Sequence, residues 1–220
     1  LLLAACQKTS PAATPQIIRV QYTLATRPWL ADIQTCALEL PGLVIQVEQR
    51  SGISLDPWSA YMVLRLGAPL QLSLPAYALG EEEIRIVAQP GNNVPDLTAE
   101  QAAGLFSGRI QNWKEVGGMD LPVQIWAFSD GEDIQQDFNA AILDGQTVST
   151  LARQAQSPEE MSMGIAQDPT AVGILPGRSQ NSTLRQIQVS GVNSLIFPVL
   201  AITREEPQGA LRDLLACLQR

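Results

Sequence analysis

Apolar and polar positions along this chain follow two spacings, and the spacing switches from one short segment to the next. Residues 17–24 are rich in β-branched and aromatic side chains and predict a strand. After the polar turn Ala25-Thr26-Arg27-Pro28, apolar residues at Trp29, Ile33, Cys36, Ala37 and Leu40 fall three or four apart, one face of a helix. Pro41-Gly42 stops that helix, and residues 43–47 predict the next strand. Strand, helix and strand in this order make a βαβ unit, which implies a parallel sheet.

The pattern continues with a helix over 58–66, an exposed strand over 70–74 from its alternation, and a strand over 84–88 ended by Pro90-Gly91. Thr98 with Gln101, and Ser157 with Glu160, each fit the capping box in which a hydroxyl and a Glu or Gln side chain satisfy each other's free amides. Pro158 at the first helical position strengthens the second start. Strands are predicted over 123–127, 171–175 and 195–203, and a helix over 134–143. Residues 208–218 close the chain as a helix with Leu211, Leu214, Leu215 and Leu218 on one face.

Composition narrows what such an alternation can do. The chain has 220 residues, 45% hydrophobic and 16% charged, enough for one large domain or two small lobes with a real core. No run beyond the opening residues is apolar over the ~20 positions that span a bilayer. The net charge is −8 and the only lysines are Lys8 and Lys114, so the positive footprint of a nucleic-acid binder is missing. There is no histidine, which excludes Ser-His-Asp and Cys-His chemistry and removes the commonest transition-metal ligand. Neither a metal nor a cofactor is expected. An enzyme is not expected either; the enzymatic alternative is a hydrolase with two carboxylates facing each other across a cleft.

Leu1-Leu2-Leu3-Ala4-Ala5-Cys6 resembles the end of a bacterial lipoprotein signal peptide, in which small residues precede a cysteine that becomes lipidated. Cys6 is then the lipid attachment point, and Gln7 to Gln16, rich in Thr, Ser, Ala and Pro, reads as a tether. The expected location is the extracytoplasmic face of the cell membrane, held by lipid, where disulfides persist.

Leu97-Thr98 with Gln101, then the run Leu105-Phe106-Ser107-Gly108-Arg109-Ile110-Gln111-Asn112-Trp113, then Val116-Gly117-Gly118, lead to a strand, an acidic glycine-containing loop and Phe138. This order resembles the phosphate-binding-protein family of ABC importers, and the likeness extends through 147–173 to Phe197-Pro198-Val199-Leu200. It implies a two-lobed type 2 periplasmic-binding-protein fold of α/β class, with lobe one over 16–90 plus 194–220, lobe two over 91–193, and 1–15 as lipobox and tether. Two crossing segments join the lobes, and a ligand sits between them. The implied ligand is an oxyanion such as phosphate, and the implied partner an ABC permease. A rival reading is a degenerate module that has lost its anion and works as a sensor or adaptor at the membrane surface.

The resemblance places candidate ligand contacts in four loops: Thr26 and Arg27, Arg50 and Ser51, Ser73, and Ser129 with Gly131. Helix N-termini suit an anion because their free N–H groups and dipole favour negative charge. The fourth loop departs from the family, with Phe128 where an Arg is usual and the acidic Asp130, Glu132 and Asp133 in place of a Ser-Gly-Thr-like core. Those acids either cap the helix or stand where the anion would sit and repel it. Trp29, Trp58, Trp113 and Trp126 read as core residues, with a stacking platform as the alternative. With Cys6 taken by lipid, Cys36 and Cys217 remain, and an even remainder in an exported protein suggests a disulfide; two buried free thiols are the alternative.

Overall fold

The computed structural model describes residues 15–179, 183–192 and 194–220, so Cys6 and nearly all of the tether lie outside the described residues. The first half builds the expected βαβ unit. Strand β1 (Gln16–Tyr22) buries Ile18 and Val20 and exposes Ile17 and Arg19. A one-turn 3-10 segment, Arg27–Trp29, feeds helix α1 (Leu30–Leu38), and β2 (Leu43–Gln49) pairs parallel with β1. On the other side of β1 lies β3 (Met62–Leu66), again parallel. The closing helix, α5 (Gly209–Leu218), packs beside α1 and adds Leu214 and Leu215 to the cluster of Ile18, Val20, Ile33, Met62 and Leu64. A disulfide joins Cys36 of α1 to Cys217 of α5, with Cα atoms 5.8 Å apart.

The second half has a separate arrangement of helices around a short parallel ladder. It begins at β5 (Leu97–Thr98) and α2 (Ala99–Phe106), followed by β6 (Gln124–Ala127), α3 (Asp133–Ile142), β7 (Arg153–Gln154), α4 (Pro158–Gln167) and β8 (Ala171–Pro176). Phe106 of α2 meets Phe138 of α3 edge-on at 4.6 Å, and Trp113, Ile134, Met161 and Ile165 are buried around them. Two short strands, β9 (Arg185–Ile187) and β10 (Val189–Ser190), lead back to β11 (Ile196–Ile202).

The lobes meet along one shared strand. Strand β4 (Ala76–Ala88) pairs with β11 over Ala76–Glu83 and then with β8 over Ile84–Ala88, all antiparallel. One hydrogen-bonded path of eight strands, with β9 beside β4 as a ninth, therefore runs through both lobes among the described residues. The crossing lies where Ile84 N–H reaches Leu195 C=O at 2.7 Å, so two adjacent strands carry the chain across and back. A hinge of this kind bends through few residues while each lobe keeps its own core.

Three expectations fail here. Residues 58–66 form a turn and then β3, not a helix: all five residues of β3 are buried, as in a strand covered on both faces. Such an apolar run cannot be told from a buried helix by spacing alone. Residues 70–74 are irregular rather than a strand, and Leu70 is fully exposed; prolines at 69 and 75 flank the segment. Strand β4 begins eight residues before the expected position 84. Trp58 is also corrected: it is 70% exposed on the turn before β3, beside a groove of about 710 Å³ that also holds Tyr61, Arg19 and Arg204.

Candidate functional site

The cleft is defined by chain segments that face each other across the hinge. From lobe one come the turn after β1, the 3-10 turn Gly52–Ser54 and the end of β3; from lobe two comes the N-terminus of α3. Thr26 is fully buried and its hydroxyl contacts Thr23 N–H, Thr23 C=O and Leu64 C=O at 3.0–3.4 Å. That side chain is therefore a clasp for the turn, and it also meets the hydroxyl of Thr23 at 3.2 Å.

Asp133 fills the position opposite. It is completely buried, and its Oδ2 accepts the Leu66 N–H from lobe one at 2.7 Å. Its Oδ1 accepts the Ile134 N–H at 2.8 Å, and the Thr23 side chain lies near enough to favour the ionised form. Arg65 lies on the lobe-one side, 9% exposed, with its Nε donating to Leu66 C=O and Gly67 C=O at 3.2 and 3.0 Å. Burial pushes the Asp133 carboxyl up, while the Leu66, Thr23 and Ile134 donors and the Arg65 charge pull it down.

Two more carboxyls flank it without comparable support. Glu132, at the N-cap position of α3, makes no capping bond, and its Oε2 is buried with no partner among the described residues. Burial and the neighbouring Asp133 push it up to about 7. Asp137, one turn along α3, has a buried, unpartnered Oδ2 and is likewise pushed up to about 7, by burial and then by Asp133. Gly67, at φ +62°, lets the chain after β3 close directly onto the Asp137 carboxyl, where any Cβ would collide. Three carboxyls in one low-dielectric spot cannot all ionise, so near neutral pH the charge settles on Asp133, which holds the donors.

Further contacts bring the lobes together. Ile53 N–H donates to Gly131 C=O at 3.1 Å, and Gly52 lies so close to α3 that a Cβ would fall 2.8 Å from Asp133 N. Arg27 pairs with Glu159 of α4 at 3.1 Å, a solvent-exposed contact. At the hinge, Arg178 stacks 3.8 Å above the Trp29 ring and pairs with Asp32 at 2.8 Å, while Glu82 accepts from Trp29 Nε1 and Arg178 N–H.

The seven candidate ligand residues thus scatter in role. Thr26 and Gly131 hold the walls of the cleft, and Arg27 bridges its rim. Ser51 bonds Ser54 at 2.8 Å at the start of the turn that touches α3, and Ser129 Oγ accepts the Gly131 N–H at 3.4 Å. Arg50 pairs with Glu48 at 2.6 Å along β2, and Ser73 is exposed in the segment whose Leu74 packs on the outer face of the lobe-one sheet. The sequence reading missed Thr23 and Arg65. A lone arginine inside the apolar run Met62-Val63-Leu64-Arg65-Leu66 was the available signal, because a buried charge needs a partner.

No family model matches the chain. A curated relative, the phosphate-binding protein PstS of Bacillus subtilis, is 28% identical over 105 residues, 46% of this chain. That match spans 35% of the Bacillus protein's length. A putative phosphate ABC transporter substrate-binding protein from Clostridium perfringens, solved with bound phosphate, superposes with a TM-score of 0.82 at 17% identity. It covers 92% of this chain and 93% of its own. An ABC-type phosphate transport receptor from Vibrio cholerae gives 0.74 at 20% identity, with 92% and 93% covered. All three descriptions name binders or receptors rather than catalysts. At these identities, matched along nearly the whole chain, the likeness establishes architecture: this chain has the two-lobed α/β fold of periplasmic binding proteins.

Proposed function

We propose that the chain is the extracytoplasmic solute-binding module of an ABC-type importer, lipid-anchored through Cys6, with an oxyanion of the phosphate class as its ligand. Lobe one is taken as 16–90 plus 194–220 and lobe two as 91–193, with a permease engaging the closed form. The observation that carries this reading is the paired architecture: two cores joined by adjacent crossing strands, with backbone donors from both lobes converging on one point between them. The likeness to phosphate receptors supports the ligand class.

One observation favours a second reading. The point of convergence already holds Asp133, so a divalent anion meets a carboxyl there instead of free donors. Like charges 4 Å apart repel by ~4 kcal/mol at an effective dielectric of 20, and a fraction of that costs one or two decades of affinity. A module with no phosphate affinity at all, acting as sensor or adaptor, is the limit of this effect. Calorimetry and thermal shift on the wild-type protein with phosphate, sulfate and arsenate separate the two. Saturable one-to-one binding, weaker than micromolar, is expected for the importer module; no response to any oxyanion would leave the sensor reading.

A further inference from the structure

We infer that Asp133 is a tethered occupant of the cleft: its side-chain carboxyl takes the place of the solute and holds the two lobes together in the ligand-free protein. The inference deepens the reading above, since it takes the cleft to be the solute site.

Leu66 N–H comes from the last residue of β3 in lobe one, Ile134 N–H from the first turn of α3 in lobe two, and the Thr23 hydroxyl from the turn after β1. Leu66 is 67 positions from Asp133 and Ile134 is its neighbour, yet one carboxyl takes both N–H groups, with the Thr23 side chain beside it. A bare helix start does not need such an arrangement, because its amides are met by water or by a local cap. Arg65 adds a buried cation on the same side, and Gly52 lets the facing turn reach within contact of the α3 backbone. Donors from both lobes, a nearby cation and exclusion of water are the features of an anion site. Here the anion is part of the chain.

Two consequences follow. The protein needs no solute to close, because the Leu66–Asp133 bond already spans the lobes. A solute that binds in this cleft must also displace the carboxyl, so its apparent affinity is the intrinsic one multiplied by the fraction of protein in which Asp133 has left.

The test uses Asp133→Ala, which empties a space the size of a carboxylate while leaving the donors in place. In buffer matched for ionic strength with chloride, this variant is expected to melt below wild type and to show a larger radius of gyration by small-angle scattering. Sodium formate, which can seat a carboxylate on the same donors, is expected to raise its melting temperature saturably and to shrink the radius back; wild type should respond to neither. Phosphate should bind the variant at least about tenfold tighter than wild type. Asp133→Asn serves where the alanine variant does not fold: its amide N–H₂ must face a backbone donor, so the cleft loosens, and formate has no space to repair it. A wild-type radius in whichever variant folds, or no formate response in Asp133→Ala, would overturn the inference. Micromolar phosphate binding by the wild type would also overturn it while leaving the importer reading intact. Formate rescue without any oxyanion binding would uphold the inference and remove the phosphate-class ligand.

Discussion

Helices α2 and α4 start in one way and α3 in another. At α2, Thr98 Oγ1 accepts the Gln101 N–H at 3.2 Å and Gln101 Oε1 accepts the Thr98 N–H at 2.9 Å, so the cap closes within four residues. At α4, Ser157 accepts from Glu160 N–H at 3.2 Å, and Glu160 accepts from Gln156 N–H at 2.8 Å. Helix α3 opens on Glu132 and Asp133, residues that the helix dipole also favours, yet Glu132 caps nothing and Asp133 bonds Leu66, 67 positions away. The first kind of start fixes a local element. The second ties two lobes, and it does so by burying charge that the protein must then balance.

The comparison can be broken by removing each kind of tie. The largest effect is expected from the covalent one. Cys36→Ser with Cys217→Ser should cost about 2–5 kcal/mol, or roughly 2–4 °C in melting temperature per kcal/mol, and leave the cleft unchanged. A response of the cleft contacts to this pair would mean that α1 and α5 are coupled to the site. Next comes Asp133→Ala, expected to cost about 3 kcal/mol by chemical denaturation, because buried donors lose their partner. Thr98→Ala should cost about 1 kcal/mol, the ordinary loss of a local cap. Equal losses for Thr98→Ala and Asp133→Ala would erase the distinction drawn between them.

The pH dependence sharpens the same contrast. Glu132 and Asp137 have folded-state values of about 7, above the ordinary values of 4.5 and 3.8. Raised carboxyls favour the folded state while neutral, so their contribution is complete in acid and drains away as pH rises through about 7. Both groups face Asp133, and Arg65 on the β3 side opposes the effect at Asp137. Melting temperature should therefore fall as pH rises from about 4 to about 7 and level off above that, and Glu132→Gln should flatten that fall; an unaltered slope would place the titration elsewhere. The smallest effect belongs to Arg27→Ala. Its ion pair with Glu159 is half-exposed on both sides, and its loss should cost below about 1 kcal/mol, vanishing in high salt.

Much of the architecture was written in spacing and caps. The β1–α1–β2 unit, the starts of α2 and α4, and the amphipathic α5 each follow from residues close in sequence. What spacing could not give was β3, since Met62 to Leu66 is buried on both faces and carries no alternation. The site suffered for the same reason. Arg65 sits in that misread run, and Thr23 looked like the end of a strand, so the group that meets Asp133 was legible only after the lobes were brought together. The acidic character of the α3 start was plain in the sequence, but either a cap or a repelling charge would have produced it. Its bond to the opposite lobe depends on a contact between residues 66 and 133, which no local pattern encodes.

Amide hydrogen exchange at Leu66 and Ile53 tests the central claim most directly, since both N–H groups donate across the cleft to the α3 start. In ligand-free wild type at neutral pH, both amides should exchange slowly, and added phosphate should change neither rate. Fast exchange at both amides in the free protein, with protection appearing only when phosphate is added, would show an open cleft that waits for its solute and would contradict the account.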